Sequence, residues 1–337
     1  MACLTSGLLV VLLLVPAAAR AQDGSFISAG VELHYRSAAA GAPAVLLSGG
    51  PGFTIDYMVP VGDFLPAGYR RIFFEQRGTG RSRPASFSPA SLTLQTAIED
   101  LEALRLHLQQ DRLLLVGHSW GGMLAMAYAV AHPDHVDRLI LIGSGGPTLE
   151  FAQWFGDNIE ARLRPEDIEA RRYWGQAVNN GTDRDKAALE ETRAIAPAYF
   201  FDRKKGLDFA ATVKDGALRQ DVNTLLFADL AKSYDLRDGL RKLNRRVLIV
   251  HGHQDPVGDK TAEDIHGLIP GSTLAYINKS GHFHGSNSPR SSSAWSWNFL
   301  EVRRRHRQER LAPTTDPATR HRSSVALNSS QSIGLLR

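Results

Sequence analysis

Cysteine is nearly absent from this chain. The single residue, Cys3, precedes the first apolar run instead of following it, where a lipid-modified cysteine would stand. Everything beyond it can form no disulfide and offers no thiol nucleophile or thiolate ligand. Metal-binding spacing is missing too. The 12 histidines are scattered, without His-Glu-x-x-His and without paired cysteines, so no metal is expected. No dinucleotide fingerprint occurs, and Gly117-x-x-x-Gly121 lacks the Gly-Lys-Ser/Thr that completes a phosphate loop, so no cofactor is expected either. An excess of one charge is also missing from most of the chain. Residues 301–337 hold eight arginines against three acidic residues, which leaves 31 basic and 32 acidic residues in the rest. That balance gives no argument for a nucleic-acid partner or an acidic one.

A long apolar run is lacking as well. Leu8–Val15 is far short of the roughly 20 residues that a membrane span needs. Followed by Pro16 and Ala19-Arg20-Ala21, a small-x-small pattern, it reads as an export signal cleaved after Ala21. The segment before the run carries no Lys or Arg, and an uncleaved anchor is the competing reading. The expectation is an exported protein, periplasmic or secreted, with no stable membrane span after cleavage.

What is present is an alternation of strand and helix signals. Phe26–Ile27 and Val31–Tyr35 read as strands, then Ala44–Ser48, Arg71–Glu75, Leu113–Val116, Leu139–Ile142, Val247–Val250 and Leu274–Ile277. Most of these are continuous apolar runs, as expected of strands buried on both faces. Leu92–Gln109 carries apolar residues at helical spacing, and Gly121–Ala131 is a helix of small residues. The pattern predicts a mostly parallel sheet with helices on both faces and ligand-binding loops at the carboxyl ends of its strands. Between about Thr148 and Arg237 the alternation fails. That stretch is charged and helix-prone, with a helix start at Pro165 and an aromatic cluster at Tyr199-Phe200-Phe201. It reads as a helical cap over 148–237 inserted into a core of 22–147 and 238–300, with an unrelated second domain as the rival. Residues 301–337 read as a disordered basic tail.

Chemistry concentrates where strands end. Gly117-His-Ser-Trp-Gly121 fits G-x-S-x-G between a strand and a helix, the sharp turn that lifts a serine above a sheet. Ser119 is the expected nucleophile. A serine needs a base, and the base needs an orienting acid. His251-Gly-His-Gln-Asp-Pro256 and Asn278-Lys-Ser-Gly-His282 each follow a strand, which nominates Asp255 and His282 in the order Ser, Asp, His. Asp259 and Asp264 are rivals for the acid, and His284 for the base. His251 and His253 read as structural. The N–H groups of Trp120 and of Gly50, in the loop Ser48-Gly-Gly-Pro-Gly52, are the expected oxyanion donors.

Taken together, Ser48-Gly-Gly-Pro-Gly52, Glu75-Gln-Arg-Gly-Thr-Gly-Arg-Ser82, Gly117-His-Ser-Trp-Gly-Gly122 and Gly281-His-Phe283 resemble the prolyl aminopeptidases, or proline iminopeptidases, serine peptidases of the S33 type with the α/β-hydrolase fold. The likeness spans roughly Ser25 to Leu300. It implies removal of an N-terminal residue, often proline, from short peptides or amides beneath a helical cap. Ser48 stands where the family usually has His, and Glu75 where it has Asp. Within Ile195-Ala-Pro-Ala-Tyr-Phe200, Ala196 occupies the place of a glutamate that receives the substrate amine. Glu190, Glu191, Asp202 and Tyr199 are the remaining candidates for substrate binding. An exported aminopeptidase acting through an acyl-enzyme is the leading expectation. A carboxylesterase or lactonase is the second, and a non-catalytic binding protein the third.

Overall fold

The computed structural model describes residues 22–84, 88–177 and 180–283. The export signal, His284 and the basic tail lie outside the described residues. In chain order the elements are β1 (Gln22–Ser28), β2 (Val31–Ala38), β3 (Ala42–Leu47), α1 (Val59–Asp63), β4 (Tyr69–Glu75), α2 (Leu94–His107), β5 (Leu113–His118), α3 (Trp120–Ala131) and β6 (Val136–Ile142). Then come α4 (Ala152–Glu160), α5 (Pro165–Ala177), α6 (Arg184–Ile195), α7 (Arg203–Thr212), α8 (Gln220–Ser233), α9 (Arg237–Arg241), β7 (Arg246–Gly252), α10 (Asp259–Leu268) and β8 (Thr273–Ile277).

The strands form one sheet in the order β1-β2-β4-β3-β5-β6-β7-β8. Only β2 runs against its neighbours, and from β4 to β8 every pairing is parallel. The mostly parallel sheet expected from the apolar runs is therefore present. The central strand β5 is buried along its whole length, because β3 and β6 flank it and helices cover both faces. Each leucine so buried contributes about 1.5–3 kcal/mol. The amphipathic spacing of α2 turns Leu101 and Leu104 into the core. Its start is fixed by Thr93 and Thr96, each hydroxyl bonding the other residue's backbone N–H at 3.1 and 2.9 Å.

Between β6 and β7 the described residues are helical, apart from loops and two isolated β-bridges. This stretch is tied to three loops at the carboxyl ends of the strands. Arg219 donates its N–H to Gly52 O at 3.0 Å, and Thr54 donates to Ala217 O at 2.9 Å. Trp154 and Asn158 donate to Val257 O and Pro256 O at 2.8 and 3.0 Å. His282 donates its N–H to Tyr199 O at 2.7 Å. Pro165 begins α5, as its sequence context predicts. Among the described residues no helix is long and apolar enough to cross a membrane.

Candidate active site

Ser119 sits between β5 and α3 at φ 56°, ψ −119°, a left-handed backbone that a side chain adopts only under constraint. Its neighbours supply the constraint. Ser119 N–H donates to Ile142 O at 3.0 Å, and its carbonyl accepts from Gly122 N–H at 2.9 Å and Gly145 N–H at 3.3 Å. The glycines of the motif are a steric requirement. A Cβ on Gly121 would lie 2.2 Å from Leu47 O, and one on Gly117 would lie 2.2 Å from Gly121 O. Trp120 is the first residue of α3, so its N–H belongs to the helix's free donors.

Asp255 lies on the loop after β7 and His282 on the loop after β8, both buried. The two carboxylate oxygens stand 3.0 and 2.9 Å from His282 Nδ1. Oδ1 also accepts the Val257 N–H at 2.9 Å. The structure thus pairs the predicted acid with the predicted base. The rival acids have other partners. Asp259 meets His253 Nδ1 at 2.9 Å, and Asp264 meets Lys260 at 2.6 Å. His253 stacks on Tyr276 with ring centroids 4.4 Å apart. His251 is buried with no hydrogen bond at its Nε2, which stands 3.7 Å from Asp259 Oδ1, and burial pushes its pKa down, towards the neutral ring. These features match structural loop histidines.

The glycine loop after β3 lies against the nucleophile. A Cβ on Gly49 would come within 2.8 Å of Ser119 Cβ and 3.0 Å of the Tyr57 hydroxyl. Gly49 donates its N–H to that hydroxyl. The hydroxyl in turn is 2.9 Å from His118 Nδ1, and His118 Nε2 is 3.0 Å from His282 O. A carbonyl only accepts, so Nε2 of a neutral His118 carries the proton and Nδ1 accepts from Tyr57. This relay joins the glycine loop, the serine turn and the histidine loop. Tyr57 is a site residue that sequence reasoning missed. It sits in a short helical turn, Ile55–Met58, outside the motifs that follow the strands. Burial raises its pKa and keeps it protonated.

Aromatic rings crowd the imidazole. Tyr199, His118 and Phe283 have ring centroids 5.3, 4.5 and 5.5 Å from that of His282. Phe200 and Phe209 pack on Phe283 at 5.3 and 4.5 Å. Of the four candidate substrate-binding residues, Tyr199 belongs to this cluster. Burial is the main cause of its raised pKa. Glu190 is paired with Arg193 at 2.6 Å. Asp202 caps α7 through Lys204 N–H at 2.9 Å. Glu191 faces Arg171 at 3.7 Å. Ala196 is buried.

Glu102, His132 and His135 bring three possible metal-ligand atoms within 4.8 Å of one another. They lie at the amino ends of the strands, away from Ser119. Arg105 holds the carboxylate at 2.6 and 2.9 Å, and Tyr128 donates to it at 2.7 Å. The group therefore reads as a hydrogen-bonded ion pair.

Comparisons with known proteins bear on the family and the fold. Residues 43–285 match the family model described as the alpha/beta hydrolase fold. A proline iminopeptidase from Xylella fastidiosa is 30% identical over 72% of this chain and 83% of its own length. Among solved structures, a proline iminopeptidase from Mycobacterium smegmatis superposes with a TM-score of 0.63 at 20% identity, over 83% of this chain and 98% of that one. An esterase from Exiguobacterium antarcticum has a TM-score of 0.55 at 21% identity, over 85% and 96%. At those identities the two structures speak for the fold alone.

Proposed function

Because the chain belongs to the α/β hydrolase family, in the group of the proline iminopeptidases, we propose that it is a serine hydrolase acting through an acyl-enzyme, with Ser119 as nucleophile, His282 as base and Asp255 as orienting acid. The observation that carries this reading is the buried Asp255–His282 pair, at 2.9 Å, with Ser119 in a left-handed turn next to His118, whose ring centroid is 4.5 Å from that of His282. With Nδ1 committed to Asp255, His282 keeps Nε2 to take the Ser119 proton as the hydroxyl attacks a carbonyl. The tetrahedral oxyanion is received by the N–H groups of Trp120 and Gly50. Gly49 is not available, since its N–H is given to Tyr57. His282 then protonates the leaving group, and water releases the acyl product.

The substrate class we propose is a short peptide or amino-acid amide whose N-terminal residue is small and apolar. Support comes from the family and from the aromatic cluster of Tyr199, Phe200, Phe209 and Phe283. The helices of 148–237 form the cap in this reading, and export follows from the signal over residues 1–21. A second reading, an esterase or lactonase, is favoured by one observation. Glu190, Glu191 and Asp202 are each engaged with a cation or a helix end, and Ala196 offers no charge, so no uncommitted carboxylate waits for a substrate ammonium among them. Proline and alanine arylamides assayed beside short acyl esters separate the two. Cleavage of arylamides, blocked in Ser119→Ala, supports the peptidase. Turnover of esters alone removes it. Failure of a fluorophosphonate to label Ser119 in the folded protein removes both.

A further inference from the structure

The loop Gln76-Arg-Gly-Thr-Gly80 follows β4 and has no part in the triad, yet Gln76 bridges the two segments that carry the proposed oxyanion donors. Its Nε2 donates to Ser48 O at 2.9 Å and approaches Ser48 Oγ at 3.2 Å. Its Oε1 accepts from the Trp120 indole Nε1 at 2.9 Å. Both partners fix the amide's orientation. An indole N–H can only donate and a carbonyl can only accept, so the amide fits one way round. Ser48 is fully buried, and its hydroxyl in turn donates to Phe53 O at 2.8 Å across the glycine loop.

The bridge itself is anchored. Thr79 donates its N–H and its hydroxyl to Gln76 O at 2.9 and 2.7 Å. The next residue, Arg77, forms a buried ion pair with Asp100 of α2, with contacts of 2.5 and 2.8 Å. Gln76 is therefore held from behind by α2 and grips two separate elements in front. One is the end of β3, which leads into Gly50. The other is the first residue of α3, whose N–H is the second donor.

We infer that Gln76 is a positioning residue that sets the spacing between the Gly50 and Trp120 N–H groups through its amide bridge from Ser48 to the Trp120 indole. This rests on the acyl-enzyme reading of Ser119, Asp255 and His282. An oxyanion forms only in the transition state, so a misplaced donor costs kcat and leaves KM nearly alone. Displacement by about 1 Å is worth on the order of 100-fold, and loss of one donor about 100- to 1,000-fold.

Three substitutions cut the bridge differently. Gln76→Met removes both contacts. Gln76→Glu keeps the acceptor for the indole and sets a carboxylate oxygen against Ser48 O. Trp120→Phe removes the indole donor and keeps the backbone N–H. Each is expected to lower kcat ~10- to 100-fold with KM within ~3-fold. Binding of a trifluoromethyl ketone, which forms a tetrahedral oxyanion, should weaken in step, while binding of the planar product stays constant. The Gln76→Met/Trp120→Phe double variant should be no worse than Gln76→Met. Wild-type kcat in thermally stable Gln76→Met and Trp120→Phe, or equal losses of ketone and product binding, would overturn the inference. Long incubation with fluorophosphonate keeps the two readings apart. Labelling of Ser119 in the wild type and all variants shows the triad intact whatever the kcat values, whereas an unlabelled wild type sinks the triad and the bridge's role with it.

Discussion

Replacing Asp255 by Asn exchanges one carboxylate oxygen for an NH2, and the bonds around it dictate how the amide must sit. Oδ1 of Asp255 accepts the Val257 N–H at 2.9 Å as well as facing His282. In the variant the amide oxygen stays on that N–H, because an NH2 there would oppose a second donor. The amide NH2 is then turned to His282 Nδ1, at the place now occupied by Oδ2, 2.9 Å away. Nδ1 must become the acceptor, so the ring proton moves to Nε2. The nitrogen that should receive the Ser119 proton is then already protonated. The ring also loses the carboxylate that stabilises its charged form. The expected loss is about 10,000-fold in kcat, or ~5.4 kcal/mol of transition-state stabilisation, with little change in KM. Steady-state turnover of the best ester or arylamide, with the thermal midpoint as a folding check, measures it. Asp259→Asn is the control, since Asp259 serves His253 at 2.9 Å, and its turnover should stay within about 2-fold of wild type. A folded Asp255→Asn protein within 10-fold of wild type, or an equal loss in Asp259→Asn, would refute the assignment.

The other expectations are independent of one another. Tyr57→Phe strands Gly49 N–H and His118 Nδ1, and should cost about 1–3 kcal/mol, read as a lower unfolding midpoint together with reduced kcat. Gly121→Ala places a methyl 2.2 Å from Leu47 O, backbone that cannot yield, and should lower stability by ~1–3 kcal/mol or abolish folding in a denaturation curve. The Glu102 carboxylate, held first by Arg105, has its pKa lowered from 4.5 to about 2. A depressed acid stabilises the fold above its unfolded pKa and loses that contribution as pH falls towards its folded value. Glu102→Gln should therefore cost about 1–2 kcal/mol at pH 7 after solvent screening, with the difference from wild type shrinking between pH 4.5 and about 2 in denaturation curves. Material exported by a host cell should begin at Gln22 on N-terminal sequencing, and retention of residues 1–21 would reject the cleavage site.

Sequence alone settled whatever depends on local pattern. Apolar runs such as Leu113–Val116 and Val247–Val250, alternating with helical spacing, read as strands buried on both faces and so point to a parallel sheet with helices outside. The loops that carry Ser119, Asp255 and His282 were legible as candidates because each follows such a strand, while the lack of room for a side chain at Gly117 and Gly121 is a fact of the packing. Tertiary structure decided what depends on which distant groups meet. Asp255 is favoured over Asp259 by its place just after a strand, and in space the two part: one is buried against His282 and the other pairs with His253. Tyr57 carries no local signature, and the motifs that contain His118 and Gln76 do not reveal their partners, since a hydroxyl, an imidazole or an amide acquires its role from the partner across the fold. The engagement of Glu190 by Arg193, three residues on, and of Asp202 by the start of α7 is by contrast local, of the kind that helical spacing and capping allow. Periodicity reports which face of an element is buried, while the partners that join the glycine loop, the serine turn and the histidine loop, such as Tyr57 with His118 and Gln76 with Trp120, stand tens of positions apart, and no local pattern encodes them.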